Sequence, residues 1–165
     1  MFEDNRGYFF ESFNESAFQK ETGLSTHFVQ DNQSKSNKGV LRGMHYQTGE
    51  YAQAKLVRVI QGSVQDVAID LRKDSATYGQ HFSIVLSAKN KKQLFIPRGF
   101  AHGFLVLEDD TIFAYKCDNF YNKDSEGGLY YKDETVGINW VLDTTDCILS
   151  EKDKILPTID LAKEV

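Results

Sequence analysis

Short apolar or alternating runs recur about every ten residues along this chain, with Gly, Asn, Asp and Ser between them. That rhythm suits strands of ordinary length and leaves little room for helices. The runs fall at 7–13, 27–34, 40–47, 55–60, 63–71, 80–86, 93–97, 102–107 and 111–118. Within them, Asp66-Val67-Ala68-Ile69-Asp70-Leu71 alternates cleanly, with Val67, Ile69 and Leu71 on one face and the two aspartates on the other. Gln61-Gly62-Ser63, between two runs, reads as a tight hairpin turn. One short helix is expected from Asn14 to Lys20, ahead of Gly23 and capped by Asn14 or Ser16. The expectation is an all-β sandwich or barrel with a few short helices. The polar tail from Leu142 onward is expected to pack over it as irregular structure with helical turns.

The 165 residues suffice for one domain with a proper core, and no repeat or linker divides them. The 12 Phe and 8 Tyr imply a core or cleft lined with rings. A net charge of −5 without a basic tract argues against nucleic-acid binding. No run approaches membrane-spanning length, and Met1-Phe2-Glu3-Asp4 does not open like a secretory signal. Cys117 and Cys147 lack a metal-like spacing and read as reduced thiols. Soluble and cytoplasmic is the expectation.

The segment Gly39-Val40-Leu41-Arg42-Gly43-Met44-His45-Tyr46-Gln47 sets polar groups into what reads as a buried strand. Burying an arginine, a histidine and a glutamine costs free energy unless each finds a partner, in the protein or in a bound molecule. An arginine three residues before a histidine suggests an anionic ligand held beside a reacting centre. Strict alternation, however, puts Arg42 and His45 on opposite faces, so a twist or bulge near Gly43 is required for both to reach one pocket. Of the other histidines, His27 and His81 read as surface or strand-edge residues. His102 closes Pro97-Arg98-Gly99-Phe100-Ala101-His102, where Pro97 and Gly99 shape a turn that delivers it to the next strand. For both His45 and His102, a buried, satisfied histidine is the alternative to a functional one.

The Pro-x-Gly-x-x-His pattern resembles the second motif of the cupin superfamily, small jelly-roll barrels, and the first motif would begin at Gly39 with His45 as its leading histidine. A metal-binding cupin shows His-x-His and a nearby glutamate; here His45-Tyr46-Gln47 lacks the second histidine, although Glu50 follows. The expectation is a cupin-like barrel that works without metal.

A longer pattern is more specific. Asp4-x-Arg6-Gly7-x-Phe9-x-Glu11, Gln30-x-Asn32, Leu41 to Gln47, Lys55-Leu56-Val57, Asp66 to Arg72, Pro97 to Phe104 and Tyr115-Lys116 follow in one order. Over nearly its whole length the chain closely resembles the dTDP-4-dehydrorhamnose 3,5-epimerase family. Members carry further N-terminal strands before the Asp-x-Arg-Gly motif, so the resemblance implies strands missing from a sheet edge or dimer contact.

The resemblance implies epimerisation at C3 and C5 of dTDP-4-keto-6-deoxy-D-glucose to dTDP-4-keto-L-rhamnose in deoxysugar biosynthesis, by a homodimer and without a cofactor. Protons beside a ketone are weakly acidic, so the reaction needs a base on one face, an acid on the other and a stabiliser for the enolate oxygen. His45 suits the base and Tyr115 the acid, while Lys55 would meet the enolate oxygen. The resemblance assigns Asp153 as the carboxylate partner of His45, although Ser150 and Asp153 also have the spacing of a helical cap. A buried, hydrogen-bonded Tyr115 and a solvated strand-edge Lys55 are the ordinary alternatives. It further implies Arg42 and Arg6 on the pyrophosphate, Gln30, Asn32 and His102 on sugar or phosphate, and Phe9, Glu11 and Tyr121 on thymine and deoxyribose. Part of that nucleotide site would come from the partner subunit. Other readings are a sugar-nucleotide mono-epimerase or 3,4-ketoisomerase on the same fold, a metal-dependent cupin oxygenase, or a non-catalytic sugar-binding cupin.

Overall fold

The computed structural model describes residues 1–165 as two facing antiparallel sheets wrapped by an irregular C-terminal segment. The strands are β1 (Phe2–Asp4), β2 (Gly7–Phe9), β3 (Gln30–Ser36), β4 (Leu41–Gln47), β5 (Lys55–Gln61), β6 (Ser63–Asp70), β7 (His81–Ser87), β8 (Gln93–Ile96), β9 (Phe100–Val106), β10 (Thr111–Cys117) and β11 (Glu126–Gly128). One sheet has the order β3-β10-β5-β8, the other β11-β4-β9-β6-β7, and β1 and β2 form a hairpin of their own. This is the cupin-like jelly roll that the strand rhythm and the motifs led us to expect. The single α-helix, α1 (Glu15–Thr22), starts where Asn14 accepts from the Ala17 N–H and stops at Gly23, whose φ is 70°.

One turn differs from expectation. Gln61-Gly62-Ser63 does not close a hairpin: Gln61 pairs with Ile112 in the four-stranded sheet, whereas Ser63 pairs with Ser87 in the other. Gly62, at φ 77°, carries the chain round the corner between sheets, and a Cβ there would meet Thr111 Oγ1 at 2.2 Å. Local turn chemistry is the same for a hairpin and a corner, so the sequence alone does not separate them.

The core has two layers. Between the sheets lie Val57, Val59, Val64, Ala68, Leu86, Ile96, Phe104 and Phe113. Behind the five-stranded sheet, Met44, Tyr46, Val67, Ile69 and Leu71 pack against Leu129, Val136 and Ile159 of the C-terminal segment. Strand β6 is therefore buried on both faces along its length, and fully burying a Val or Ile side chain is worth about 1.5–3 kcal/mol. Its aspartates are inside as well: Asp66 is 0% and Asp70 1% exposed. Asp70 accepts from Arg72, Ser75 and Thr77 and so organises the following turn, while Asp66 faces the barrel interior. The C-terminal wrap is irregular with one 3₁₀ turn (Asp153–Ile155), as expected, but it begins at β11 rather than at Leu142. A parallel bridge between Val40 and Ile148 fastens it beside β4.

Candidate active site

Apolar residues fill one end of the space between the sheets, and polar ones line the other. There a cavity of about 540 Å³ opens among residues from β3, β4, β5, β9, β10 and the C-terminal segment. His45 and Arg42 project into it from the five-stranded sheet, Lys55 and Tyr115 from the four-stranded sheet opposite, and Asp153 from the 3₁₀ turn. A smaller cavity of about 240 Å³ shares Asn32, His45, Lys55 and Tyr115 with it and adds Gln30, Tyr121 and Glu126.

The irregularity needed near Gly43 is present. The β4–β9 register shifts between Arg42 and His45, Gly43 sits at φ 125°, and the Gly43–Met44 peptide is cis. After the shift, Met44 and Tyr46 face the outer core while Arg42 and His45 both reach the cavity. Strands β4 and β9 pass so closely there that a Cβ on Gly43 would lie 2.6 Å from Gly103 Cα.

His45 Nε2 stands 2.6 Å from Asp153 Oδ1. Burial works to raise the Asp153 carboxyl, but the His45 ring, the Ser150 hydroxyl and the Gly43 backbone together hold it below the usual carboxylate range. An ionised carboxylate only accepts, so Nε2 is the donor and Nδ1 of the neutral ring carries the basic lone pair. The cap suggested by the Ser150 spacing exists too, since Ser150 Oγ accepts from the Asp153 N–H at 3.1 Å. One residue thus serves both arrangements, the turn presenting the carboxylate to the imidazole.

Across the cavity, burial pushes the Tyr115 phenol up, aided by Cys117 and opposed by Arg42. Tyr115 therefore holds its proton at neutral pH and can donate it. Desolvation pushes the Lys55 ammonium down, with Cys117, Asp66 and Glu126 opposing. Arg42 is steadied by Ser36 Oγ, which accepts from Nε at 3.2 Å and Nη2 at 3.1 Å. Gln30 donates to Asn32 at 2.9 Å, so these two share a face as expected. His102, buried against Phe113 and Phe104, meets both Asp66 oxygens at 3.1 Å.

Three expected site residues are elsewhere. Arg6 is paired with Asp4 on the surface, Phe9 is 70% exposed, and Phe9 and Glu11 line a separate hollow beside Lys89, Asn90 and Lys91. Within one chain they do not meet the cavity. Sequence reasoning missed Asp66, Ser36, Glu126 and Lys152; only the alternation of β6, which set Asp66 opposite the apolar face, hinted at one of them. Glu50 lies in the 3₁₀ turn Gly49–Tyr51, outside both cavities, and no group of three His, Cys, Asp or Glu side chains is arranged to hold a metal ion.

An imidazole held in place by a carboxylate and a phenol that keeps its proton, on opposite walls, suit the removal and return of a proton on the two faces of one carbon. The fold and that pairing define a cupin-type isomerase. Residues 1–160 match the dTDP-4-dehydrorhamnose 3,5-epimerase family. The dTDP-4-dehydrorhamnose 3,5-epimerase of Escherichia coli K12 is 52% identical over 160 residues, spanning 97% of this chain and 86% of that protein. The crystal structure of the same enzyme from Elizabethkingia anophelis superposes with a TM-score of 0.92 at 55% identity, covering 96% of this chain and 87% of that one. A Legionella pneumophila 3,5-epimerase solved in complex with dTDP-4-keto-L-rhamnose gives 0.92 at 46% identity, covering 96% and 83%. The chain belongs to the dTDP-4-dehydrorhamnose 3,5-epimerase family, and it is an epimerase.

Proposed function

We propose that this chain inverts C3 and C5 of dTDP-4-keto-6-deoxy-D-glucose to give dTDP-4-keto-L-rhamnose, a step of dTDP-L-rhamnose biosynthesis. The observation that carries the residue assignment is the 2.6 Å contact from His45 to a carboxylate held ionised, with Tyr115 on the facing sheet. His45 Nδ1 takes the proton from the carbon beside the C4 ketone, and Asp153 stabilises the imidazolium that forms. The Lys55 ammonium meets the enolate oxygen, its partial desolvation strengthening that contact. Tyr115 returns a proton to the opposite face, which inverts the centre; repetition at the second carbon completes the product.

Arg42 holds the pyrophosphate, Asn32, Gln30 and His102 meet the sugar and phosphates, and Tyr121 stacks on the base. Arg6, Phe9 and Glu11 are exposed on the β1–β2 hairpin and the residues after it, which supports a homodimer in which a second copy brings them over this cavity. Both cysteines are free, which suits a reducing, cytoplasmic setting, and no helix is long and apolar enough to cross a membrane.

Incubation of dTDP-4-keto-6-deoxyglucose with the protein in deuterated water, followed by NMR, tests the reading. Deuterium is expected at both C3 and C5, and His45→Ala is expected to abolish its entry. Unchanged exchange in that variant would sink the base assignment. Exchange at one carbon only would make the enzyme a mono-epimerase, and movement of the ketone would make it a ketoisomerase.

A further inference from the structure

Arg42 and His45 account for two of the three polar groups set into β4; Gln47 is the third. It ends the strand, is only 5% exposed and lines the smaller cavity, yet the proposed acid and base chemistry gives it no part. A buried amide needs a partner. Gln47 Oε1 accepts from the Asn122 N–H at 2.9 Å, and Asn122 lies in the loop that joins β10 to β11 and carries Tyr121.

That loop, residues 118–125, is laced at both ends to the connection between β4 and β5. At its start, Asp118 Oδ1 accepts from the Ala54 N–H at 2.7 Å, and the Asn119 carbonyl accepts from Gln53 Nε2 at 2.8 Å. At its end, the Ser125 carbonyl accepts from the Thr48 N–H at 2.8 Å. Between these, Asn122 Oδ1 accepts from the N–H groups of Asp124 at 2.9 Å and Ser125 at 3.1 Å, which tightens the turn. Phe120 is 63% and Tyr121 54% exposed, so packing does little to fix either ring. The Tyr121 ring is placed mainly by its backbone, and the Gln47 contact falls on the next residue.

We infer that Gln47 is a positioning residue for nucleotide binding: from inside the barrel it pins Asn122 and thereby holds the Tyr121 ring ready at the smaller cavity. The inference rests on Tyr121 stacking on the base. A ring already in place spares the complex the cost of ordering a loop, so the contact acts on affinity and leaves the proton transfers alone. The atoms suit the task. A backbone N–H only donates, so it is the amide oxygen of Gln47 that must face the loop.

The test combines amide exchange with dTDP binding in Gln47→Met, which keeps the length and bulk of the side chain but not its acceptor. Hydrogen exchange followed by NMR is expected to show the Asn122 N–H losing about tenfold in protection. Calorimetric titration with dTDP is expected to show Kd rising roughly 3- to 10-fold, the worth of one hydrogen bond. KM for the sugar nucleotide should rise with it, while kcat stays within about twofold. In a Tyr121→Ala background the same substitution should leave Kd unchanged, because no ring remains to be held. Asn122→Ala loosens the turn from the loop side and should raise Kd likewise, again only when Tyr121 is present. It carries the test if Gln47→Met does not fold.

Unaltered Asn122 protection in Gln47→Met, unaltered Kd in both variants, or a rise in Kd that persists without Tyr121 overturns the inference. A loss of kcat with KM unmoved does so too. If Tyr121→Ala by itself leaves dTDP binding intact, the stacking assignment fails and takes the inference with it. The epimerase reading is decided separately, by the deuterium experiment.

Discussion

Two histidine–aspartate pairs stand side by side on β4 and β9, and their surroundings equip them differently. His45 and His102 are register partners, yet the His45 side chain is 33% exposed and that of His102 only 7%. The His45 contact is single and short, with its carboxylate arriving from the C-terminal segment. The His102 contact is divided between two oxygens of a residue sealed inside the same sheet. A proton acceptor has to be reached by substrate, whereas a ring clamped on a buried carboxylate presents one fixed edge. On the proposed reading, burial turns two chemically alike pairs into one that exchanges protons and one that holds the wall in shape.

The comparison can be broken first at the rings. His45→Asn is expected to slow deuterium exchange by about 10²–10⁴-fold, the span of a lost general base. His102→Asn should instead leave a measurable rate and act mainly on KM. Equal losses in single-turnover rates would erase the distinction.

The carboxylates sharpen it next. Asp153→Asn removes the counter-charge of the imidazolium, so a loss of roughly 10²-fold is expected, with the acid limb of the pH–rate profile moving to lower pH. Asp66→Ala should leave that limb in place but strand a buried imidazole, costing about 1–3 kcal/mol of stability by thermal or urea unfolding. A displaced limb in Asp66→Ala, or an unmoved one in Asp153→Asn, contradicts the assignment.

Gly43→Ala acts on both pairs at once. Its Cβ would meet Gly103 Cα at 2.6 Å and the His102 carbonyl oxygen at 2.9 Å, at a φ of 125°. These are backbone atoms with no room to yield, and a loss of about 1–3 kcal/mol is expected, with the NMR signals of both rings displaced. An unchanged unfolding midpoint would show that the strands can part.

The smallest effect concerns pH. Asp153 is held below the usual carboxylate range, so its contribution to stability is complete above the unfolded-state pKa and is lost as pH falls toward the folded-state value. Urea unfolding at stepped pH below about 5 should therefore weaken the unaltered protein more steeply than Asp153→Asn. Parallel curves would show that the carboxylate is no better stabilised folded than unfolded.

Much of this molecule was legible from the chain. The alternating runs marked nine of the eleven strands, because a pleat repeats every two residues and the sequence repeats with it. The two missed strands, Phe2–Asp4 and Glu126–Gly128, are three residues each and, unlike the equally short Gly7–Phe9, lie outside any longer apolar or alternating run. The helix was legible through its own caps, Asn14 and Gly23, which act within a few residues. The demand for a bulge at Gly43 followed from local geometry alone, since Arg42 and His45 could not otherwise share a face.

The rest depended on contacts between distant parts of the chain. No local rule says that Gly62 turns from one sheet to the other rather than back along the same one. Nor does alternation tell whether the polar face of β6 meets water or the barrel interior, and here it meets the interior because the C-terminal wrap covers the other side. Asp153 lies 108 positions from the ring it touches, and spacing alone suggested only the cap that it also makes. Sequence by itself determined which residues carry acid, base and charge, because those are properties of side chains. Tertiary structure decided which of them meet, because burial and contact arise only when two sheets close on each other.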